Sequence, residues 1–281
     1  MPAGKDRVAI IGPGAIGSVL AAKLRASGRR VLSVGRGDAV PRTPCAAVFL
    51  TVKSAALGPA LASAKKLAGA RTPVVSLLNG LSHAAAVRRA LGPSRTVIGS
   101  CHVSARRFPS GRVRHTGGNV IALAEHAGNA AALSAAASIL RAAGFDVRTR
   151  RSERRMLWSK LVINAAINPL GALTGFTNRE LATRPAMREL VTEVLREAER
   201  VGRSAGHLRG PALAPKVLVA QARLSGQLNS MAQDIAAGRR TEADAILGPI
   251  LRQARRAGVT LRLIPVLLRS VKLLEKEMLD R

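Results

Sequence analysis

Gly12-Pro13-Gly14-Ala15-Ile16-Gly17 lies between a β-branched run, Val8–Ile11, and an Ala-rich stretch with helical periodicity, Ala15–Ser27. A glycine turn that closes a strand and opens a helix points to a crossover unit, the building block of parallel sheets. Gly12 suits the tight turn, Gly14 lets a pyrophosphate approach the backbone, and Gly17 lets helix and strand pack closely. The N–H groups and dipole at such a helix start favour phosphate. A glycine turn without a ligand is the weaker reading, because the context is right on both sides.

The first half continues in the same pattern. Val31–Val34, Ala47–Val52, Val74–Leu78, Val97–Gly99, Val103–Phe108, Arg112–His115, Val120–Leu123 and Val147–Arg150 read as strands. Helices are expected over about Leu57–Leu67, around His83–Leu91 and over Ala130–Ala143. Alternation of this kind predicts an open, mainly parallel sheet. From Arg151 on no strand is expected, and helical periodicity runs through Met156–Leu170, Ala186–Ala205, Leu213–Leu224, Met231–Ala237, Ala243–Ala257 and Pro265–Met278. The expected organisation is therefore an α/β domain over 1–150 and an all-helical domain over 151–281.

Composition narrows the function classes. With 47% apolar residues the chain can bury a core, and Cys45 and Cys101 alone, outside any Cys/His ligand spacing, suit a reducing compartment and exclude a disulfide framework. Lys5 and Arg7 before the apolar stretch Val8–Ala22 have the outline of a signal peptide, but the glycines break it. No apolar run is long enough to span a membrane; Leu161–Phe176 comes closest and carries Asn164 and Asn168. A cytoplasmic address is expected. The net charge of +29 invites a nucleic-acid reading, and no acid occurs between Asp38 and Glu125. However, 36 of the 45 basic residues are Arg in an Ala-rich chain, and the aromatic residues that stack bases make up 2%. Dedicated nucleic-acid binding is not expected; a surface that attracts anions generally is.

Several positions carry chemistry. The second strand ends Val34-Gly35-Arg36, where a dinucleotide fold would often place a ribose-binding acid. A guanidinium there pairs with a 2′-phosphate and favours NADP(H), although an Arg-rich chain can place one there by chance and Asp38 follows two residues on. Lys53 and Asn79-Gly80 close strands at the end where such sheets bind ligands, and each also reads as a solvated strand end or a turn. Lys160, Asn164 and Asn168 form one stripe on an otherwise apolar helix. A polar substrate would satisfy those groups, and desolvation would make the Lys160 ammonium a readier proton donor. An amide ladder with Lys160 reaching water explains the stripe equally well. Ser230 with Gln233, and Thr241 with Asp244, have capping-box spacing, which favours a purely local role for Ser230 and its neighbours and leaves Glu242 a first-turn acid.

Taken together, Gly-Pro-Gly-Ala-Ile-Gly, Val52-Lys53, Leu78-Asn79-Gly80-Leu81, Trp158-Ser159-Lys160-Leu161 with Asn164, Asn168 and Pro169, and Ser230-Met231, Asp234 and Thr241-Glu242 resemble the ketopantoate reductase family (2-dehydropantoate 2-reductases) over nearly the whole chain. The resemblance implies a Rossmann-type domain, a helical domain and an active site in the cleft between them. It implies NADPH-dependent reduction of ketopantoate to pantoate in pantothenate and coenzyme A biosynthesis. Lys160 would be the general acid at the 2-keto oxygen. Gly12, Pro13, Gly14, Ala15, Ile16 and Gly17 would hold the cofactor with Arg36 and Lys53 near its 2′-phosphate and Asn79 near the nicotinamide. Asn164, Asn168 and Asn178 would hold substrate, Ser230 its carboxylate end and Glu242 its hydroxyl; Asn79 and Glu242 fall in both the cofactor and the substrate groups. Without the family, Asn178 reads as a loop residue before Glu180.

Two departures accompany the resemblance. Family members usually carry a further helix and strand after the second strand, whereas ten residues, Gly37 to Ala46, stand there, which shortens the sheet. The Asp often found before the Val-Lys strand is replaced by Cys45-Ala46. The competing readings are a related NADPH-dependent 2-oxo acid reductase and a basic binding protein without catalysis. A small-molecule 2-keto acid is the expected partner, and the sequence leaves a homodimer open.

Overall fold

The buried apolar run Val8–Ile11 forms strand β1 (Arg7–Ile11), and the equally buried Ala47–Leu50 forms β3 beside it. Strands covered on both faces read as continuous apolar runs, which is why both were legible. A computed structural model describes residues 6–108, 110–223 and 226–280; Lys5 of the signal-peptide outline and Leu224 of an expected helix lie outside them. The first unit runs β1, α1 (Ala15–Ala26), β2 (Arg30–Val34), β3, α2 (Leu57–Leu67), β4 (Val74–Ser76), α3 (His83–Leu91), β5 (Thr96–Arg107), β6 (Val113–Ala124), α4 (Ala130–Ala142) and β7 (Asp146–Arg150).

These strands make one seven-stranded sheet in the order β2-β1-β3-β4-β5-β6-β7. The sheet is parallel from β2 through β5; β6 pairs antiparallel with β5, and β7 parallel with β6. Val8, Ile10, Phe49, Val97, Ile121 and Leu123 meet Leu20 and Leu24 of α1 and Ala136 and Leu140 of α4 in the core. The expected α/β class with a shortened Rossmann-type sheet is observed, with β2 at the sheet edge. Residues 37–46 hold neither helix nor strand; Arg7 donates to the Thr43 carbonyl at 3.2 Å, and Cys45 N–H donates to that of Leu67 at 2.8 Å. Cys45 and Cys101 are buried thiols outside any disulfide, and burial pushes the Cys45 thiol up.

Two differences from the expected elements have clear causes. The four short strands expected between Val97 and Leu123 are two long ones, β5 and β6. Register shifts at His102/Ser104 and Ser104/Ala105 break the apolar alternation without breaking the strand. Gly118, at φ +66°, sits where a Cβ would strike the carbonyl oxygen of His102. Gly118 and the irregular pairs fall between the short strands expected from sequence, yet they belong to one bulged ladder.

The chain divides into two compact units, Met1–Met156 and Leu157–Arg281. The division falls inside α5 (Glu153–Thr174), whose first residue, Glu153, accepts from Arg88 of α3 through both carboxylate oxygens. The second unit continues with α6 (Asn178–Thr183), α7 (Pro185–Ser204), α8 (Ala214–Ala222), α9 (Ser230–Ala236), α10 (Ala243–Arg256) and α11 (Leu263–Leu279). It has no strand among the described residues. Buried Glu197 of α7 accepts the N–H groups of Leu263 and Ile264 at 3.1 and 2.8 Å and so caps α11 across the fold. No helix of the described residues is long and apolar enough to cross a membrane.

Candidate active site

The glycine turn is built as a phosphate cradle would be. Gly12 has φ +97°, and a Cβ there would lie 2.6 Å from Val52 Cγ1. A Cβ on Gly17 would collide with the Gly12 carbonyl oxygen and lie 2.6 Å from Thr51 Oγ1. Thr51 itself donates to that carbonyl at 2.7 Å, so the residue that follows β3 braces the turn. Gly14 is different: nothing stands within 4 Å of the position its Cβ would take. Pro13 and Gly14 precede α1, whose first turn, Ala15, Ile16 and Gly17, contains no acid. Open space over Gly14 beside a helix start without negative charge fits the pyrophosphate of a dinucleotide.

The other expected cofactor contacts of the first unit lie at the carboxyl ends of successive parallel strands. Arg36 is exposed two residues after β2. Asp38 turns back on the loop and accepts the Gly35 N–H at 2.7 Å, so its carboxylate serves the turn. Lys53 is exposed beyond β3, and Asn79 is half-buried beyond β4. The turn containing Asn79 is fixed by a pair that sequence reading missed: buried Ser76 of β4 and His83 of α3 meet at 2.9 Å, Oγ to Nδ1. A Ser and a His seven residues apart give no signal until strand and helix fold onto each other.

In the second unit, α5 carries Lys160, Asn164 and Asn168 on one face. Lys160 and Asn164 are half-buried, and Asn168 is 4% exposed. Asn178 is the first residue of α6 rather than a loop residue. Thr177 and Glu180 form a complete capping box around it, and their three-residue spacing is the sequence signature of such a helix start. The Asn178 Oδ1 atom is buried without a hydrogen-bond partner.

The two capping boxes expected further on do not form. Asn229, not Ser230, caps α9, accepting the Ala232 N–H at 3.0 Å, and Ser230 is the exposed first helical residue. Thr241 accepts the Ala243 N–H at 3.1 Å, but its own N–H and hydroxyl go to Glu275 of α11; Asp244 pairs with Lys272 instead. Glu242 is the half-buried residue that leads into α10. Asp234, buried on α9, accepts from the Arg239 side chain at 3.1 Å and steadies the segment leading to Thr241.

Two family profiles match this chain: "Ketopantoate reductase PanE/ApbA" over residues 38–128 and "Ketopantoate reductase PanE/ApbA C terminal" over residues 153–275. The chain belongs to the ketopantoate reductase family. A 2-dehydropantoate 2-reductase from Archaeoglobus fulgidus is 28% identical over 95% of this chain and 97% of its own length. A PanE/ApbA family ketopantoate reductase from Ralstonia eutropha shares the fold at a TM-score of 0.81, with 25% identity over 97% of this chain and 99% of that one. D-mandelate dehydrogenase, solved with NADH and anilino(oxo)acetate, superposes at a TM-score of 0.87 with 22% identity and the same coverage, a likeness of fold. As a ketopantoate reductase family member the chain is an oxidoreductase acting on a CH–OH group, and the family's nicotinamide cofactor suits the glycine cradle.

Proposed function

We propose that this protein reduces ketopantoate to pantoate with NADPH, as a cytoplasmic enzyme of pantothenate and coenzyme A biosynthesis, alone or as a homodimer. The observation that carries the reading is the buried, unpartnered Oδ1 of Asn178. A buried acceptor left unsatisfied costs about 1–3 kcal/mol, and a ligand hydroxyl relieves that cost. Ketopantoate is a 2-keto acid with a hydroxyl to donate; an aryl 2-keto acid of the mandelate type has none. The orphaned oxygen thus favours a hydroxylated keto acid within the range of substrates this fold accepts.

Bound NADPH supplies the hydride that reaches the keto carbon. The chain's own residues do the rest. Gly14 and the N–H groups of Ala15 and Ile16 take the pyrophosphate, with Arg36 and Lys53 at the 2′-phosphate. Asp38 supports the phosphate-bearing cofactor because its carboxylate is engaged by the Gly35 N–H, leaving Arg36 to the anion. Asn79, on a turn braced by Ser76 and His83, orients the nicotinamide end. Lys160 protonates the carbonyl oxygen as negative charge develops there. Asn164 and Asn168 hold the chain of the substrate, Ser230 its carboxylate, and Asn178 Oδ1 accepts the proton of its hydroxyl, with Glu242 bounding the same end. The short 37–46 segment leaves the adenine side with fewer contacts than a longer sheet would give.

The test is NADPH absorbance followed with ketopantoate and with a panel of 2-oxo acids. The reading predicts the highest kcat/KM for ketopantoate. Preference for a keto acid without a hydroxyl would replace it with a related reductase, and NADPH binding without any turnover would replace it with a binding protein.

A further inference from the structure

Pro169 lies inside α5 and brings no N–H to the helical ladder, which takes the i+4 donor from the Ala165 carbonyl; a second carbonyl of the same stretch receives a side-chain donor. The carbonyl of Ile167 accepts the side-chain amide of Asn229 at 3.0 Å. The other end of that carboxamide, Oδ1, accepts the Ala232 N–H at 3.0 Å and caps α9. One partner is a carbonyl and the other an N–H, so the amide can sit in only one orientation. Asn229 is 7% exposed. Room for it exists because residue 171 is glycine: a Cβ there would strike the Asn229 amide nitrogen and lie 3.1 Å from its Cγ.

The chain neighbours of this contact matter. Ile167 immediately precedes Asn168, and Asn229 immediately precedes Ser230. We propose that Asn229 is a positioning residue for the substrate site, its hydrogen bond to the Ile167 carbonyl setting the distance between Asn168 and Ser230, with Gly171 as the gap that admits it. The inference rests on the reading that Asn168 and Ser230 hold the keto acid. A group that donates at one end and accepts at the other is required. Asp at 229 keeps the cap, because carboxylates cap helices well, but it loses the donor and sets negative charge against the Ile167 carbonyl. A residue that served only as a helix cap would therefore tolerate Asn229→Asp.

The experiment is steady-state kinetics of the full chain with ketopantoate and NADPH, comparing Asn229→Asp and Gly171→Ala with the parent. Both variants are expected to raise KM for the keto acid about 10–100-fold, with kcat changed less than about threefold and the NADPH KM unchanged. Parent-like keto-acid KM in a folded Asn229→Asp overturns the inference; if that variant does not fold, Gly171→Ala decides in the same way. A parent without turnover on any 2-oxo acid defeats the functional reading instead. The inference is then decided by crystal structures: an Asn168–Ser230 separation in Asn229→Asp equal to the parent's overturns it, and a changed one upholds it.

Discussion

Glu275 grips Thr241 twice, accepting its backbone N–H at 2.6 Å and its hydroxyl, while its other oxygen meets Lys272 Nζ at 2.7 Å. The contact joins α11 to the residue before Glu242. Burial pushes the Glu275 carboxyl up, but the Lys272 and Thr241 hydrogen bonds outweigh it and hold the group below its ordinary value. A depressed carboxylate stabilises the fold above its unfolded pKa, and that stabilisation is lost as pH falls through the folded value. Glu275→Ala is expected to cost about 1.5–3 kcal/mol in urea melts at neutral pH, with a smaller difference in acid, and to raise KM for the keto acid by loosening Glu242. Melts that match the parent at both pH values would remove Glu275 from the account.

The capping box of α6 is also a pH prediction. The Thr177 backbone N–H, then the Arg184 guanidinium and the Thr177 hydroxyl, lower Glu180 from 4.5 to about 2. Its support for α6 is therefore complete above pH 4.5 and fades as pH falls toward 2. A carboxyl titration by NMR should place Glu180 near the lower value, and Thr177→Ala should raise it. An ordinary value in the parent would mean that the box does not persist in solution.

The three glycines of the turn separate into two roles. Ala at Gly12 or Gly17 meets backbone or Val52 and should lower Tm by several degrees, about 1–3 kcal/mol. Gly14→Ala meets nothing within 4 Å, so the fold should be unaffected. The added methyl occupies the proposed phosphate space, and dinucleotide affinity should fall about tenfold, about 1.4 kcal/mol. Calorimetry and NADPH titration separate the two; unchanged affinity in Gly14→Ala would move the cofactor elsewhere.

The proposed role of Arg36 is tested by cofactor choice. The parent should bind NADPH more tightly than NADH, and Arg36→Ala should narrow the gap by about 1.5–3 kcal/mol, the scale of a charged hydrogen bond. Fluorescence titrations at physiological salt give both affinities. Equal affinities in the parent would assign the exposed guanidinium to the general basic surface.

Local pattern made much of this fold legible. Apolar runs and helical periodicity placed β1, β3, α2 and α3, because their cause lies within a few residues. What could not be read has long-range causes. Glu197 caps α11 from 66 residues away in sequence, and Glu275 captures Thr241 from 34 residues away. Ser230 and Thr241 have the spacing of caps, yet Asn229 takes one position and Glu275 draws off the other, since competing partners become visible only in three dimensions. The Lys160-Asn164-Asn168 stripe was legible as geometry, and its meaning came from family resemblance rather than from spacing.

The measurement that bears most directly on the account is the kcat of Lys160→Ala with ketopantoate and NADPH. Hydride arriving at a keto carbon leaves charge on oxygen, and Lys160 is the proton source we propose for it. Asn79 and Ser230 are poor acids and could not replace it. The account predicts a kcat lower by about 10²–10⁴ with NADPH affinity unchanged. A Lys160→Ala variant that keeps most of its turnover would contradict it.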